Sequence, residues 1–202
     1  MTVHIEPRTM TNEAFYEFVN LPENELKTHE LFYGVLYEMP SPSPLHGLIV
    51  VRIVRFLDTF VHSRKLGFVF ADNNDFVLVD GLILKPDVAF VSKERLPKVP
   101  HRLKVAPDIA VEVISPSNTS YDIQQKIEAY FRHGVRLFWG VYPLETVVRV
   151  ITPNPTGGYT TITLTVDDTL TGGDVLPGFS VAVRDLFPPE DLSDESDGDS
   201  NE

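Results

Sequence analysis

The sequence predicts a single mixed α/β (α+β) domain, and two observations lead to that fold class. The chain has 202 residues, of which 43% are hydrophobic and 23% are charged, a size and composition that suit one domain with a substantial core. Segments with the apolar period of a helix alternate with segments rich in β-branched residues, in the order helix, strands, helix, strands. We therefore expect helices packed against a mixed β-sheet.

The first half of the chain contains two predicted helices and a pair of strands. A short helix is expected from Thr11 to Asn20, with Thr11 as its N-cap. The segment HELFYGVLYEM has the pattern of two short strands joined at Tyr33-Gly34, and the Pro-rich run after it stops extended structure. The longest predicted helix runs from His46 to about Arg64, because apolar residues recur there at intervals of three and four.

The second half alternates predicted strands with one further helix. Three strand segments precede this helix, and they are GFVFADNNDFVLVD, ILKPDVAFVS and PDIAVEVIS. The helix is expected to begin between Ser120 and Asp122 and to end at Gly134, a favourable C-terminal stop. Three more predicted strands follow, and they are VRLFWGVYP, TVVRVITP and GYTTITLTV. The later LPGF segment is predicted to form a turn that leads into the last strand.

The composition excludes several classes of protein. Because the chain has no cysteine, disulfides, thiolate metal sites and cysteine nucleophiles are excluded, and any metal must be held by oxygen or imidazole. No apolar run approaches the roughly 18 to 20 residues of a membrane span, and the first residues lack the features of a signal peptide. We therefore expect a cytoplasmic protein. The motifs of nucleotide-driven motors, dehydrogenases, serine hydrolases and zincins are also missing.

The negative charge of the chain is concentrated at its C-terminus. The formal net charge is -12, which by itself argues against a nucleic-acid partner because phosphate contacts need Lys and Arg. However, the final segment EDLSDESDGDSNE carries seven acidic groups and no basic group. The expected organisation is one domain over 1–188, with a helical extension over 1–25, followed by a disordered acidic tail over 189–202.

Two carboxylates interrupt apolar strand segments. Asp87 lies in KPDVAFV and Glu112 lies in IAVEVIS. A charge in a strand core is costly unless it is paired or binds a metal, so two such residues on consecutive strands could share a divalent cation. Carboxylate oxygens suit Mg²⁺ or Mn²⁺, which keep several waters. The alternative for each residue is a carboxylate that points to solvent or caps a turn.

Several segments together resemble the Uma-type restriction endonuclease family, a branch of the PD-(D/E)XK nuclease superfamily. They are PDVAFV, then PDIAVEVISPS, then YDIQQKIEAYFRHGVRLFW and finally VLPGF, and the resemblance spans roughly Glu30 to Phe187. It implies a restriction-endonuclease-like mixed β-sheet core flanked by helices, with DNA as substrate. It also implies that Asp87 and Glu112 bind Mg²⁺ or Mn²⁺, which would activate a water for attack on the phosphate.

The catalytic lysine implied by the resemblance lies on a helix. In the superfamily this lysine usually follows the glutamate by two residues on the same strand, but Ile114 occupies that position here. In the Uma-type family the following helix supplies it in a D-x-x-x-K pattern, which Asp122 and Lys126 match. Lys126 is therefore the candidate catalytic lysine. From spacing alone, the two residues would be an ordinary surface pair four positions apart on a helix.

Two further residues occupy positions that the resemblance associates with catalysis. Glu30, in HELFYG, corresponds to an acidic residue that completes the site, and its alternative is an exposed strand glutamate. His46 opens the long helix and would orient the substrate or the attacking water, or else has no chemical role. The other histidines that show no metal-ligand spacing are expected at the surface: His29, His62, His101 and His133. Tyr130 and Trp139 are expected to pack in the core.

The function predicted on these grounds is metal-dependent hydrolysis of DNA phosphodiester bonds. The alternative is a catalytically inactive nuclease fold that binds DNA or protein. The resemblance also allows a homodimer, since restriction-type nucleases often pair two active sites. One basic cluster could contact phosphates or could be a solvated loop, and it comprises Lys85, Lys93, Arg95, Lys98, Arg102 and Lys104.

Overall fold

The computed structural model describes residues 9–71, 73–116 and 118–189, so all of the predicted acidic tail beyond Pro189 lies outside the described residues. The helices are α1 (Asn12–Val19), α2 (Pro44–Arg64) and α3 (Ser120–Arg132). The strands are β1 (Thr28–Phe32), β2 (Val35–Met39), β3 (Gly67–Ala71), β4 (Phe76–Val79), β5 (Leu82–Leu84), β6 (Val88–Ser92), β7 (Ile109–Val113), β8 (Leu137–Tyr142), β9 (Val147–Pro153), β10 (Tyr159–Leu164), β11 (Thr169–Gly172) and β12 (Leu176–Ala182).

The described residues form three sheets, and the fold is the mixed α+β architecture that the sequence predicts. The central sheet has six strands in the order β10-β9-β8-β7-β6-β3. A second sheet has the order β2-β1-β5-β4, and β11 pairs with β12. In the central sheet β7 and β8 are parallel while the other neighbours are antiparallel. Helix α3 is the crossover that a parallel pair requires.

The central strand β7 divides the core into two layers. Ile109, Val111 and Val113 are buried in a cluster with α2, and Ala110 belongs to a separate cluster with α3. Because side chains alternate across a strand, Glu112 lies on the same face as Ala110 and points toward α3. The side chains that contact Glu112 are therefore expected from α3 rather than from α2.

The helices have the ends that their sequences favour. Thr11 accepts a hydrogen bond from the Ala14 amide at the start of α1. Helix α2 begins two residues earlier than predicted, because Ser43 is the N-cap and Pro44 takes the first helical position, where its missing N–H costs nothing. Gly134 follows α3 with a φ of 98°, which supports the predicted stop there. Within the described residues, no helix combines the length and apolar character that a membrane span requires.

The hairpin between β1 and β2 is confirmed as well. Its two loop residues, Tyr33 and Gly34, have φ angles of 48° and 83°. Positive φ at both positions is typical of the tight turn that matches the twist of the flanking strands. The turn aligns Glu30 directly opposite Tyr37.

Other predictions at this level were wrong in detail. The segment GFVFADNNDFVLVD forms two strands, β3 and β4, and ILKPDVAFVS is split into β5 and β6 around Lys85–Asp87. The LPGF segment is not a turn before a strand, because it lies within β12 itself. His29 is not at the surface, since only 2% of it is exposed, on the face of β1 opposite to that of Glu30.

Candidate active site

Five side chains predicted from the sequence are brought together around strand β7. Glu30 comes from β1, Asp87 from the residue before β6, and Glu112 from β7. His46 comes from the first turn of α2, and Lys126 from the middle of α3. Asp87 and His46 form one group, and Lys126 with Glu30 and Glu112 forms the other. The two groups meet at β7.

Asp87 is held by a strand amide and a histidine. Its Oδ2 accepts a hydrogen bond from the Val113 amide at 2.6 Å, and its Oδ1 lies 3.2 Å from His46 Nε2. Because Val113 follows Glu112 in β7, this backbone bond places the Asp87 carboxylate beside the Glu112 position. The break between β5 and β6 is therefore the structural feature that lets Asp87 reach the next strand.

Lys126 joins the other two carboxylates. Its Nζ lies 2.9 Å from Glu112 Oε1 and 3.0 Å from Glu30 Oε1. Glu30 Oε1 also accepts a hydrogen bond from the Lys85 amide at 2.7 Å. Glu30 is 6% exposed, so it is not the exposed strand glutamate that the sequence left open. The structure thus brings the helix lysine to the strand carboxylates.

The alternative pairing of Lys126 with Asp122 does not occur. Asp122 instead forms a capping box with Thr119: its carboxylate accepts from the Thr119 amide, and its own amide donates to the Thr119 hydroxyl. At the usual position of the superfamily lysine, Ile114 donates its amide to the Val141 carbonyl and extends the pairing of β7 with β8. An ammonium at this site therefore comes from α3.

Sequence reasoning assigned Tyr130 to the core and missed its polar contact. The side chain is fully buried, as expected, but its hydroxyl donates a 2.7 Å hydrogen bond to Glu112 Oε1. Tyr130 lies four residues after Lys126, so both side chains project from the same face of α3. That spacing was a signal for the contact, because a buried tyrosine hydroxyl usually finds a partner.

Burial and crowding of like charges dominate the electrostatics of the site. Burial raises the pKa of the Glu112 carboxyl to about 8; the Lys126 ammonium opposes this, and the charges of Asp87 and Glu30 add to it. Burial alone would lower the pKa of Lys126, but the Glu112 and Glu30 carboxylates reverse this and raise it. Burial also raises the pKa of Tyr130, followed by the effect of Glu112. Lys126 and Tyr130 are therefore protonated donors at neutral pH.

The donor set has the chemistry of a divalent-cation site. The Lys126 ammonium contacts Glu30 and Glu112. Burial raises the pKa of Glu112, and the charge of Asp87 adds to this effect. Full ionisation of these three carboxylates leaves two negative charges beyond the one that Lys126 offsets. Asp87 and Glu112 supply hard oxygen ligands of the type that Mg²⁺ prefers, with waters filling its remaining positions. Among the described residues, no group of three or more His, Asp or Glu side chains is arranged to hold a metal by itself. The residues therefore fit an ion held by two carboxylates and water.

The remaining candidate residues lie in other contacts. Of the basic cluster, Arg95 pairs with buried Asp108 through Nε at 3.4 Å, and Lys85 pairs with Asp75 at 3.1 Å. The Arg102 guanidinium lies 3.6 Å from the centre of the Tyr16 ring. These three cations have structural partners within the protein.

Comparison with known proteins was made at the level of families and of structures. A family model described as "Uma2: Putative restriction endonuclease" matches residues 15–184. A structure from Anabaena variabilis, described as "a putative nuclease belonging to DUF820", superposes with a TM-score of 0.71 at 22% sequence identity. The match covers 85% of this chain and 96% of that one, and it shows a shared fold. A search of curated proteins finds no match.

Proposed function

This chain belongs to the Uma2 family of restriction-endonuclease-like proteins, and on that premise we propose that it is a metal-dependent nuclease that hydrolyses DNA phosphodiester bonds. The observation that carries the proposal is the placement of Lys126. Its ammonium contacts Glu112 and Glu30 at 2.9 and 3.0 Å. Burial raises the pKa of the same Glu112, and the charge of Asp87 adds to that effect. A surface lysine with no chemical role would not be expected in contact with two buried carboxylates.

The metal site in this proposal is formed by Asp87 and Glu112. A divalent cation such as Mg²⁺ or Mn²⁺, when bound there, would polarise the scissile phosphate and lower the pKa of a water. His46 orients Asp87 through the contact to its Oδ1. Both contacts from α3 fall on Oε1 of Glu112, so neither would compete with a cation held through Oε2.

Lys126 is the proposed catalytic cation. An ammonium has three hydrogen-bond donors, and the contacts to Glu112 and Glu30 account for two of them. The third can be directed at a phosphate oxygen or at the attacking water, where positive charge stabilises the charge that develops in the transition state. Glu30 keeps the ammonium in position and protonated.

The proposal is tested by cleavage of supercoiled plasmid DNA with Mg²⁺ or Mn²⁺ and with EDTA. Asp87→Asn should abolish cleavage, since it removes a ligand charge while preserving size. Asp58→Asn is the matched control, because Asp58 is exposed on α2 and should leave cleavage unchanged. Equal cleavage by the Asp87 variant and the wild type, or cleavage that persists in EDTA, would rule out this assignment.

Binding of the metal can be measured separately from cleavage. Crystals soaked in Mn²⁺ should show anomalous density between the Asp87 and Glu112 carboxylates. Density at that position without any cleavage of DNA would favour the alternative of an inactive nuclease fold that retains its site. Absence of density there, in crystals of the active protein, would contradict the ligand assignment.

A further inference from the structure

A pair of opposite charges lies at the open end of the β4–β5 hairpin, next to the candidate site. Phe76 and Leu84 are paired in register, and the residues just beyond them are Asp75 and Lys85. The Lys85 Nζ lies 3.1 Å from Asp75 Oδ1, and the Lys85 and Asp75 side chains are only 15% and 24% exposed. Opposite charges across two strands stabilise a hairpin, so a purely structural role is the alternative to any role in the site.

Lys85 is connected to two carboxylates of the candidate site. Its amide donates the 2.7 Å hydrogen bond to Glu30 Oε1. Asp87 follows it by two residues, on the other side of Pro86. Proline has a fixed φ and restricts the residue before it to extended conformations, so the link from Lys85 to Asp87 is stiff. A shift of Lys85 would therefore move the donor to Glu30 and the Asp87 carboxylate together.

Helix α1 contributes to the surroundings of Asp75 through Tyr16. The Tyr16 hydroxyl oxygen is buried, and burial raises the pKa of Tyr16 to about 12, with the charge of Asp75 adding to this effect. The Arg102 guanidinium lies 3.6 Å from the centre of the same ring. Asp75 is thus a charge within packed structure, where solvent screens an ion pair less than at an open surface. Its attraction for Lys85 is correspondingly stronger.

We propose that Asp75 is a positioning residue for the metal site, acting through Lys85 on the turn that carries Asp87. The inference rests on the proposed function in treating Asp87 as a metal ligand. The placement of Asp87 itself depends on the 2.6 Å hydrogen bond from the Val113 amide to its Oδ2, which holds it beside Glu112. Without the Asp75 charge, Lys85 is released, the turn loosens and this hydrogen bond is formed for less of the time.

The first test needs neither metal nor DNA, and it measures hydrogen exchange of backbone amides by NMR in EDTA. The Val113 amide donates to Asp87 Oδ2, whereas the adjacent Ile114 amide donates to the Val141 carbonyl in the neighbouring strand. Asp75→Asn should accelerate exchange at Val113 by about 5-fold, the upper value for loss of an ion pair near the surface. Exchange at Ile114 should be unchanged, because its hydrogen bond does not involve the turn.

Two further variants provide matched comparisons. Lys85→Gln removes the same ion pair but keeps the backbone amide that bonds to Glu30, so it should accelerate Val113 exchange equally. Because the two residues act as one pair, the double variant should exchange no faster than either single variant. Asp80→Asn removes the same charge at the other end of the hairpin, where Asp80 accepts from the Asn12 amide, and it should leave Val113 exchange unchanged.

The second test measures the affinity of the full chain for Mn²⁺ by isothermal titration calorimetry. Loss of a group that orients a metal ligand typically weakens binding by 10- to 100-fold, and we expect about 10-fold for Asp75→Asn because it acts through Lys85. Cleavage of DNA at saturating Mn²⁺ should recover to the wild-type rate, so that the defect lies in the metal requirement. A catalytic residue would instead lower the rate at saturation.

Several outcomes would overturn the inference. Equal acceleration at Val113 and Ile114 would mean that Asp75→Asn only loosens the fold, as a purely structural pair would. Unchanged Val113 exchange, additive effects in the double variant, or an unchanged Mn²⁺ affinity would each contradict a positioning role. Failure of the proposed function is distinguishable, because the wild type would then bind no Mn²⁺ while Asp75→Asn still accelerates exchange at Val113.

Discussion

Replacing Tyr130 with Phe tests whether the α3 hydroxyl supports Glu112, the carboxylate that we propose as a metal ligand. The change removes one donor, 2.7 Å from Glu112 Oε1, and leaves the ring in its place near Phe138, where the centroids are 5.9 Å apart. The lost contact is therefore the hydrogen bond rather than core packing. We expect a less stable protein that also binds Mg²⁺ more weakly.

The size of the effect follows from the burial and charge of Glu112. Above pH 8, where Glu112 is ionised, a hydrogen bond to its charged carboxylate contributes about 1.5 to 3 kcal/mol. Because Lys126 still donates to the same oxygen, the lower end applies, and the melting temperature should fall by about 3 to 6 °C for a chain of this size. Loss of a group that orients a metal ligand typically weakens metal binding by about 10- to 100-fold.

The assay is thermal unfolding over a titration of MgCl₂, which reports stability and metal affinity together. Tyr142→Phe is the control, since the Tyr142 ring lies under the Arg149 guanidinium at 4.0 Å and Phe preserves that contact. The reasoning is refuted if both variants lose the same stability. It is also refuted if Tyr130→Phe leaves the Mg²⁺ concentration for half-maximal stabilisation unchanged.

Two other predictions concern the charges of the same site. Lys126→Met leaves Glu30 and Glu112 without their cation. Urea denaturation near pH 8 should therefore show a loss of about 3 to 5 kcal/mol in the free energy of unfolding, and saturating Mg²⁺ should restore part of it. No recovery with Mg²⁺ would contradict a metal site beside Lys126. The pKa of Glu112 is raised from 4.5 to about 8, so the folded state holds a proton that the unfolded chain releases across this interval. In EDTA, the wild type should therefore be most stabilised relative to Glu112→Gln below the lower value. This advantage in unfolding free energy should shrink toward pH 8, by at most about 1.4 kcal/mol per pH unit. Parallel curves of unfolding free energy against pH for the two proteins would disprove the raised pKa of Glu112.

Local sequence patterns were sufficient to predict the helices and most strands. Periodic apolar residues and favourable caps define α1, α2 and α3 to within about two residues, because both signals are short-range. The break between β5 and β6 was missed because its cause is distant in the sequence: the Lys85 amide bonds to Glu30, 55 residues earlier. The segment ILKPDVAFVS was therefore predicted as one strand, and the turn that positions Asp87 was not recognised.

The candidate site was predicted less by physical chemistry than by resemblance. Charge patterning alone left Asp87 and Glu112 open between metal ligands and surface carboxylates, and it favoured a surface pair for Lys126. The geometry brings these residues together, and their catalytic roles stay predictions. Tyr130 was missed because its ring satisfies the helical apolar pattern. The available signal was its position four residues after Lys126, which places both side chains on one face of α3.

The crossover position of α3 makes the candidate site depend on the docking of that helix. The carboxylates of β1, β6 and β7 precede α3 in the chain, while the ammonium that offsets them arrives only when the helix docks across the sheet. With α3 displaced, Glu30 and Glu112 would lose the ammonium that offsets their charge. The packing of this one helix therefore determines whether the candidate site is complete.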